Sequence, residues 1–446
     1  MTIPRLPPPI DDRLARRRVL ADAARLGLGV GILDLLGGRP TWADDVASAA
    51  SRSPFNVICL FMKGAMSHID TFDPKPGREE QGETKVIATA LPGVSFGAGL
   101  PRLAAAADRL AVIRGVSTAT GAHEPGVYTM RTAYAPLGSI QHPALGAWAL
   151  HAAGKTSREL PGYVLVGNGN EHPGAGFLDP KLAPVPIADP KLGLENTRRP
   201  AYLSERNFAR RLALAERIDR DFRRSYDGPQ VEAYNQMVRE AVRLLGSDDL
   251  GAFDLSREPE SMRRRYGDGA FAQGCLLARR LVEAGVRFVE VEFAGWDMHR
   301  ELFEDLPAKV AQLDDAMATL LDDLAERGRA ATTLVVLVSE FGRTPKINEN
   351  GGRDHHPGVF SAVLAGGGVR GGVVHGSSDE RGHSPATDPV SVADLNTTIA
   401  AAAGLPYERE FTAPNGRPFK IGGGGKPIAA VLATPPADPA PTTGAG

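Results

Sequence analysis

The sequence has little cysteine, no charge imbalance, no internal repeat and no long apolar run beyond its first 50 residues. Each shortage removes a class of protein. Two cysteines, Cys59 and Cys275, in 446 residues make neither a disulfide framework nor a thiolate metal site. Both are expected as small buried apolar groups, so any metal must take oxygen and imidazole ligands. The 51 basic and 53 acidic residues nearly cancel, and no overall field points to nucleic acid or an anionic membrane. No stable membrane span is expected once the N-terminal segment is removed. Partners must therefore be argued from local sites.

What is present begins at the N-terminus. "ARRRVLADAARLGLGVGILDLLGGRPTWADD" has a basic cluster, a modestly apolar middle and a small-residue site near "TWA", the pattern of a bacterial export signal. Arg16-Arg17-Arg18-Val19-Leu20 fits a twin-arginine signal, with Val where Phe is commoner. Arg25 and Asp34 make the middle a poor permanent span. Residues 1–50 are read as signal and linker, with cleavage near 43–50, a periplasmic or secreted product, and the twin-arginine export machinery as a partner.

The rest alternates strand-like with helical runs. Strands are predicted at Asn56–Met62, Leu110–Ile113, Tyr163–Val166, Val286–Phe293, Thr333–Val338, Val359–Leu364 and Gly372–His375. Leu306, Val310, Leu313, Met317, Leu320 and Leu324 make one apolar helical stripe between two of them. This repetition predicts an α/β fold over 51–421 with a mostly parallel sheet and helices on both faces. Residues 200–265 read as a helical insertion: Phe208, Leu212, Ala215, Ile218 and Phe222 share a face, "DGP" breaks it, and a second helix follows. The Gly/Pro/Ala-rich stretch 422–446 reads as a disordered tail.

In open parallel sheets, ligands sit beyond the carboxyl ends of the strands. The first strand is followed by His68, Asp70, Thr71 and Asp73, and a later one by Asp297 and His299. The strand ending at Val338 is followed by "EFGRTPKINENGGRDHHPG", which carries Glu340, Asp354, His355 and His356. In extended backbone i and i+2 face one side, so Asp297 and His299 can reach one ion. Mixed carboxylate and imidazole donors suit zinc, manganese or iron, and a carboxylate-rich subsite suits calcium or magnesium. Arg343 and Arg353 flank the cluster and are candidates for pairing an anionic substrate. The loop "GNGNEHPGAGF", with Glu171 and His172, reads as an ordinary surface loop that could border a pocket.

"GAMSHIDTFDPKPG", "GWDMH", "SEFGRTPKIN", "GRDHHPG", "GGGVRGG" and "GSSDERG" together resemble the bacterial family called domain of unknown function 1501, over about residues 55–420. That family is similar in fold to the alkaline phosphatase and sulfatase superfamily. The resemblance implies a three-layer sandwich with one or two divalent ions, zinc, manganese or calcium, at the carboxyl edge. It places Asp70 at the first metal-binding Asp, and Asp297 and His299 near the pair holding the first metal. Glu340 stands for a metal-binding Asp, Phe341 replaces the residue after it, and His355 or His356 supplies the late His.

The departure is at the nucleophile. In "HEPGVYTMRTA", His123 stands where the resemblance puts a Cys or Ser, and Val127 where it puts an Arg. A formylglycine-type mechanism is thereby excluded. Three readings remain open: water activated by a bound ion, Thr71 as hydroxyl nucleophile, or a site without ester hydrolysis in which His123 is a ligand or structural group. The expected function is an exported metal-dependent hydrolase of a phosphate, sulfate or related ester, on a small anionic or glycan substrate. The alternatives are a non-catalytic metal-containing binding protein and an envelope partner.

Overall fold

The computed structural model describes residues 56–194, 202–225 and 247–433. The expected export signal and the expected second helix of the insertion lie outside these residues. The core is a sheet of nine strands: β1 (Asn56–Phe61), β2 (Leu110–Ser117), β3 (Tyr163–Val166), β4 (Val185–Ile187), β5 (Phe288–Glu292), β6 (Thr333–Val338), β7 (Phe360–Gly366), β8 (Val373–His375) and β9 (Val390–Ser391). Their spatial order is β8-β2-β7-β6-β1-β5-β3-β4, with β9 beside β2. Every pairing is parallel except those of β7, which runs antiparallel to β2 and β6. The architecture is thus the expected α/β one with a mostly parallel sheet.

Central strands of such a sheet are covered on both faces, which is why they read as unbroken apolar runs. In β1, Ile58 and Leu60 join one core cluster while Val57 and Phe61 join the other. In β6, Val335 and Leu337 face the first cluster, and Leu334, Val336 and Val338 the second. The first cluster takes α4 (Ala270–Glu283) and α5 (Leu302–Glu326), whose six-residue stripe is wholly buried. The second takes α1 (His123–Thr132), α2 (Leu145–Ala153) and α6 (Val392–Ala402). α6 is started by a reciprocal Ser391/Asp394 capping box. Within the insertion, α3 spans Glu205–Ser225.

Two expectations need correction. The expected disordered tail is ordered through 433: Val431 and Leu432 are buried, and Arg370 N–H donates to the Val431 carbonyl at 2.8 Å. Its glycines make left-handed turns packed on α6, so composition that suits a linker here serves close approach. Cys275 is buried as expected, whereas Cys59 is only half-buried and lines a cavity of about 30 Å³ beside Arg131.

Candidate metal centre

The carboxyl ends of β1, β5 and β6 lie side by side, and the chain leaving each carries polar groups to one rim. After β1 the backbone turns at Gly64, with φ +110°, where a Cβ would stand 2.6 Å from the Asp297 nitrogen. That contact lets the loop after β5 close against the loop after β1. After β6, Gly342–Arg343 pairs antiparallel with His355–His356, in register Arg343 to His355. Neighbouring residues of such a ribbon point to opposite sides. His355 therefore faces the rim while His356 turns away, its Nε2 at 2.8 Å from the His383 carbonyl. Gly352, whose Cβ would overlap the His299 carbonyl carbon, lets the ribbon's loop pass against His299.

Three imidazoles surround Asp297. His299 Nε2 and His355 Nε2 each stand 3.0 Å from its Oδ1 and 3.0 Å from one another. His123 Nε2 lies 3.4 Å from the other oxygen, Oδ2. Behind each ring, Nδ1 meets a group that can only accept: Glu340 Oε1 at 2.8 Å for His123, Asp354 Oδ1 at 2.9 Å for His299, and the Gly121 carbonyl at 2.7 Å for His355. Each Nδ1 must then carry the proton, and in the neutral ring Nε2 presents its lone pair. Three lone pairs and a carboxylate thus confront one another. His123 Nε2 is shielded from solvent and without a hydrogen-bond partner. This pattern, a ring nitrogen free toward the centre and its partner fixed by an outer acceptor, is that of metal-ligating histidine. The donor set fits a divalent ion: His123, Asp297 and His355 offer ligand atoms all within 4.8 Å of one another.

The same partners set the charges at the rim, and at His123 a proton would compete with an ion for Nε2. Burial opposes the charged form of Asp297, but the Arg343 guanidinium, with His355 and His123, holds its carboxyl well below the usual range. The hydrogen bond to Glu340 raises the His123 imidazole above its ordinary value, against the effect of burial. The His299 and Asn348 hydrogen bonds lower Asp354.

The other expected site residues are elsewhere or differently employed. Asp70 is fully buried and closed off: Arg353 spans both its oxygens at 2.7 and 3.2 Å, Ser67 Oγ donates at 2.5 Å and Thr84 Oγ1 at 2.6 Å. It was expected as a ligand, yet no lone pair faces the rim. Thr71 is sealed from solvent, its hydroxyl donating to the Ser67 carbonyl at 2.6 Å, which removes it as a nucleophile. Glu340 and Asp354 sit behind the imidazoles rather than among the donors.

The arginines also differ from expectation. A guanidinium has five N–H donors. Those of Arg343 are directed at the carbonyls of Ala65, Gly64 and Arg353, at Asp297, and at His299 Nε2. Those of Arg353 go to Asp70 twice and to the carbonyls of Thr344, Pro345 and Glu80. Neither has a donor left for a substrate anion. Sequence reasoning had no means of finding Gly121, whose contribution is a backbone carbonyl, or of seeing that both arginines are buried. His172 also turns inward, to Tyr163 at 2.9 Å, while Glu171 pairs with Lys63 at 2.7 Å at the loop's outer side.

Comparison with known proteins places the chain more broadly. The family described as "Protein of unknown function (DUF1501)" matches residues 55–432. No curated protein sequence matches it. Among solved structures, it is similar to a sulfatase from Pseudoalteromonas sp. at 13% identity, covering 83% of this chain and 73% of that one, with a TM-score of 0.31. A protein in the alkaline phosphatase superfamily from Vibrio parahaemolyticus shares 10% identity over 84% and 69% of the two chains, TM-score 0.37. The zinc complex of the periplasmic domain of EptC from Escherichia coli shares 12% over 80% and 85%, TM-score 0.38.

Proposed function

The chain belongs to the DUF1501 family, and from the geometry of its rim we propose a metal-dependent hydrolase of phosphate, sulfate or related esters. The observation that carries this reading is the convergence of unprotonated ring nitrogens on Asp297, each ring fixed from behind. His123, Asp297 and His355 would hold the ion. A bound divalent ion supplies Lewis acidity, polarising an ester oxygen and bringing the pKa of water down to about 7. The protein's own groups keep the rings aimed: Glu340 and Asp354 hold the Nδ1 protons, and Arg343 keeps Asp297 ionised. With both arginines spent internally, an anionic ester must be held chiefly by the ion itself. A cleft of about 560 Å³ beside Asp297 and His299, lined also by Arg300, Lys309 and Gln312, is roomy enough for a small sugar or aryl ester.

The test is turnover of p-nitrophenyl phosphate and p-nitrophenyl sulfate by protein loaded with zinc, manganese or calcium. Asp297→Asn is expected to abolish it. Silence across both esters with every ion would overturn the hydrolase reading. A second reading, a secreted metal-containing binding protein, is favoured by one observation: Thr71, the candidate hydroxyl nucleophile, is sealed away from the rim. Export by the twin-arginine route belongs to the same proposal and is supported by Arg16-Arg17-Arg18-Val19-Leu20, the modestly apolar middle after it and the small-residue site near "TWA". No described helix is long and apolar enough to cross a membrane. Replacing Arg16 and Arg17 by lysine is expected to leave the protein in the cytoplasmic fraction.

A further inference from the structure

We infer that Lys63 is an anion anchor at the rim and that Glu171 is its placeholder, the carboxylate that fills it until an anionic ligand takes its place. The inference deepens the reading above and rests on it for where the ligand lies, but not for hydrolysis.

The root of Lys63 is fixed beside the centre. Its N–H is shared between the Phe61 and Phe293 carbonyls, at 3.0 Å each, and its carbonyl accepts the Trp296 N–H at 3.2 Å. The next residue, Gly64, donates its N–H to Glu340 Oε1, the same oxygen that accepts from His123 Nδ1. Phe61 lies in the core layer that holds α1, and Met62 in the other. The alternation of extended backbone therefore carries Lys63 to the α1 side, where His123 opens the helix. There the ammonium meets Glu171 Oε2 at 2.7 Å.

What sets Lys63 apart is this partner. The donors of Arg343 and Arg353 end on groups of the fold, and both side chains are almost wholly buried. Arg131 is held in the interior by Glu290 and Glu292. An ammonium has three donors, and among the described residues Glu171 is the one side chain that Lys63 pairs with. That carboxylate is 38% exposed and the ammonium 20%, so an incoming anion loses little by breaking the pair. The loop need not open. Asn168 N–H is tied to Glu292 at 3.3 Å and His172 to Tyr163 at 2.9 Å, so only the Glu171 side chain has to swing out. Glu171 also feels the charge of the centre: Lys63 holds its carboxyl below the ordinary value against burial, and Arg131 and His123 add to the effect.

Released from Glu171, Lys63 is a compact point charge of the kind that binds phosphate or sulfate oxygens. The ligand class is therefore an ester that keeps a negative charge at the reacting group. A neutral carboxylic ester has nothing to exchange for Glu171.

The experiment is calorimetric titration of full-length, zinc-loaded protein with inorganic phosphate and with sulfate at fixed ionic strength. Lys63→Met, which keeps the apolar stem, is expected to weaken binding about tenfold or more, the loss of one charge-assisted hydrogen bond. Glu171→Gln, which removes the competing charge, is expected to tighten it about threefold, within the range of a surface ion pair. Opposite signs are the signature. A pair that served the fold alone would leave both affinities at the parent's value and lower both melting temperatures together. No binding by the parent, unchanged binding in Lys63→Met, or weaker or unchanged binding in Glu171→Gln would each overturn the inference. Opposite shifts without turnover of any ester would sink the hydrolase reading and leave this one standing. Ester turnover that Asp297→Asn abolishes and Lys63→Met leaves unchanged would do the reverse.

Discussion

Glu290 and Asp297 lie on the same strand and the loop that leaves it, yet their surroundings obey opposite rules. Glu290 is sealed inside the sheet, 2% exposed. Arg131 donates twice to its Oε1, at 2.7 and 2.5 Å, Tyr163 donates to its Oε2 at 3.1 Å, and His172 Nε2 lies 3.4 Å from that oxygen. His172 Nδ1 accepts the Gly174 N–H, so its proton sits on Nε2 and points inward. Donors outnumber acceptors there, and Arg131 Nη1 is buried without a hydrogen-bond partner. Around Asp297, with its side chain 44% exposed, acceptors outnumber donors, and Arg343 is the only strong donor within reach. A donor-rich cluster around a buried carboxylate has no place for a cation. An acceptor-rich one at a rim is completed by a cation.

The largest test of this contrast is a pair of substitutions. Glu290→Ala leaves the Arg131 guanidinium buried without its main partner, and breaking one side of a buried ion pair is expected to lose about 3–5 kcal/mol of stability. Asp297→Asn, half-exposed and still able to accept from Arg343, should lose about 1 kcal/mol or less while abolishing ion binding. Urea denaturation together with metal analysis checks both. If the two variants lost similar stability, or if Glu290→Ala alone lost the ion, the assignment of roles would be reversed.

Acid should weaken the buried interior in two stages. Burial lowers His68 from 6.5 to about 4, since the ring has no room to be solvated when charged. A folded-state pKa below the unfolded one means that the unfolded chain takes up the proton first. Stability therefore falls as pH drops from about 6.5 to about 4 and levels off below. Glu290 adds a second stage: burial opposes its charge, but Arg131 and His172 hold its pKa down to about 2. Its stabilisation is present above about 4.5 and is lost as pH falls toward 2. Each stage is worth about 3.5 kcal/mol at most, at roughly 1.4 kcal/mol per pKa unit. Urea midpoints across this range, with and without His68→Gln, check the upper stage. A variant whose pH profile matched the parent would show that His68 does not titrate there.

At the rim the expected effects are smaller. Glu340 Oε1 accepts from His123 Nδ1 and from the Gly64 N–H at 2.8 Å each. Its other oxygen is buried and has no hydrogen-bond partner. Glu340→Gln keeps one acceptor in place but removes the charge that makes His123 a better donor. Ion affinity is expected to fall about tenfold, with little change in melting temperature. An unchanged affinity would mean that His123 takes no part in holding the ion.

Much of this contrast was legible in the sequence, but unevenly. The strands of the sheet centre announced themselves because burial on both faces forces unbroken apolar runs, and the α5 stripe because only one face is covered. β2 runs to Ser117, four residues past the predicted end at Ile113, since Arg114 and Gly115 interrupt the apolar run while the ladder with β7 resumes at Val116 past a register shift at Gly115. Asp297, His299 and His355 could be named because ligand-type residues after parallel strands are informative wherever they fall. What could not be read was saturation. Asp70 looks like a ligand and Arg343 and Arg353 like anion clamps until every donor is followed to its acceptor. Those acceptors are mostly backbone carbonyls brought in by folding. The choice between His355 and His356 likewise waited on the ribbon register.

The smallest expected effect separates a sealed hydroxyl from a reactive one. Thr71 Oγ1 lies 2.6 Å from the Ser67 carbonyl, within a turn that also fixes Asp70 through Ser67 Oγ. Thr71→Val preserves the shape of the side chain and removes one buried hydrogen bond, a loss of about 1 kcal/mol. Ion stoichiometry and any ester turnover are expected to stay within about twofold of the parent, since about 0.4 kcal/mol is all that such a change in rate represents. A nucleophile could not be replaced so cheaply. Loss of turnover with the ion still bound would put the chemistry at the buried turn and leave the rim as a cation site alone. Retained turnover would confine the reaction to groups around Asp297 and exclude Thr71 as the attacking group.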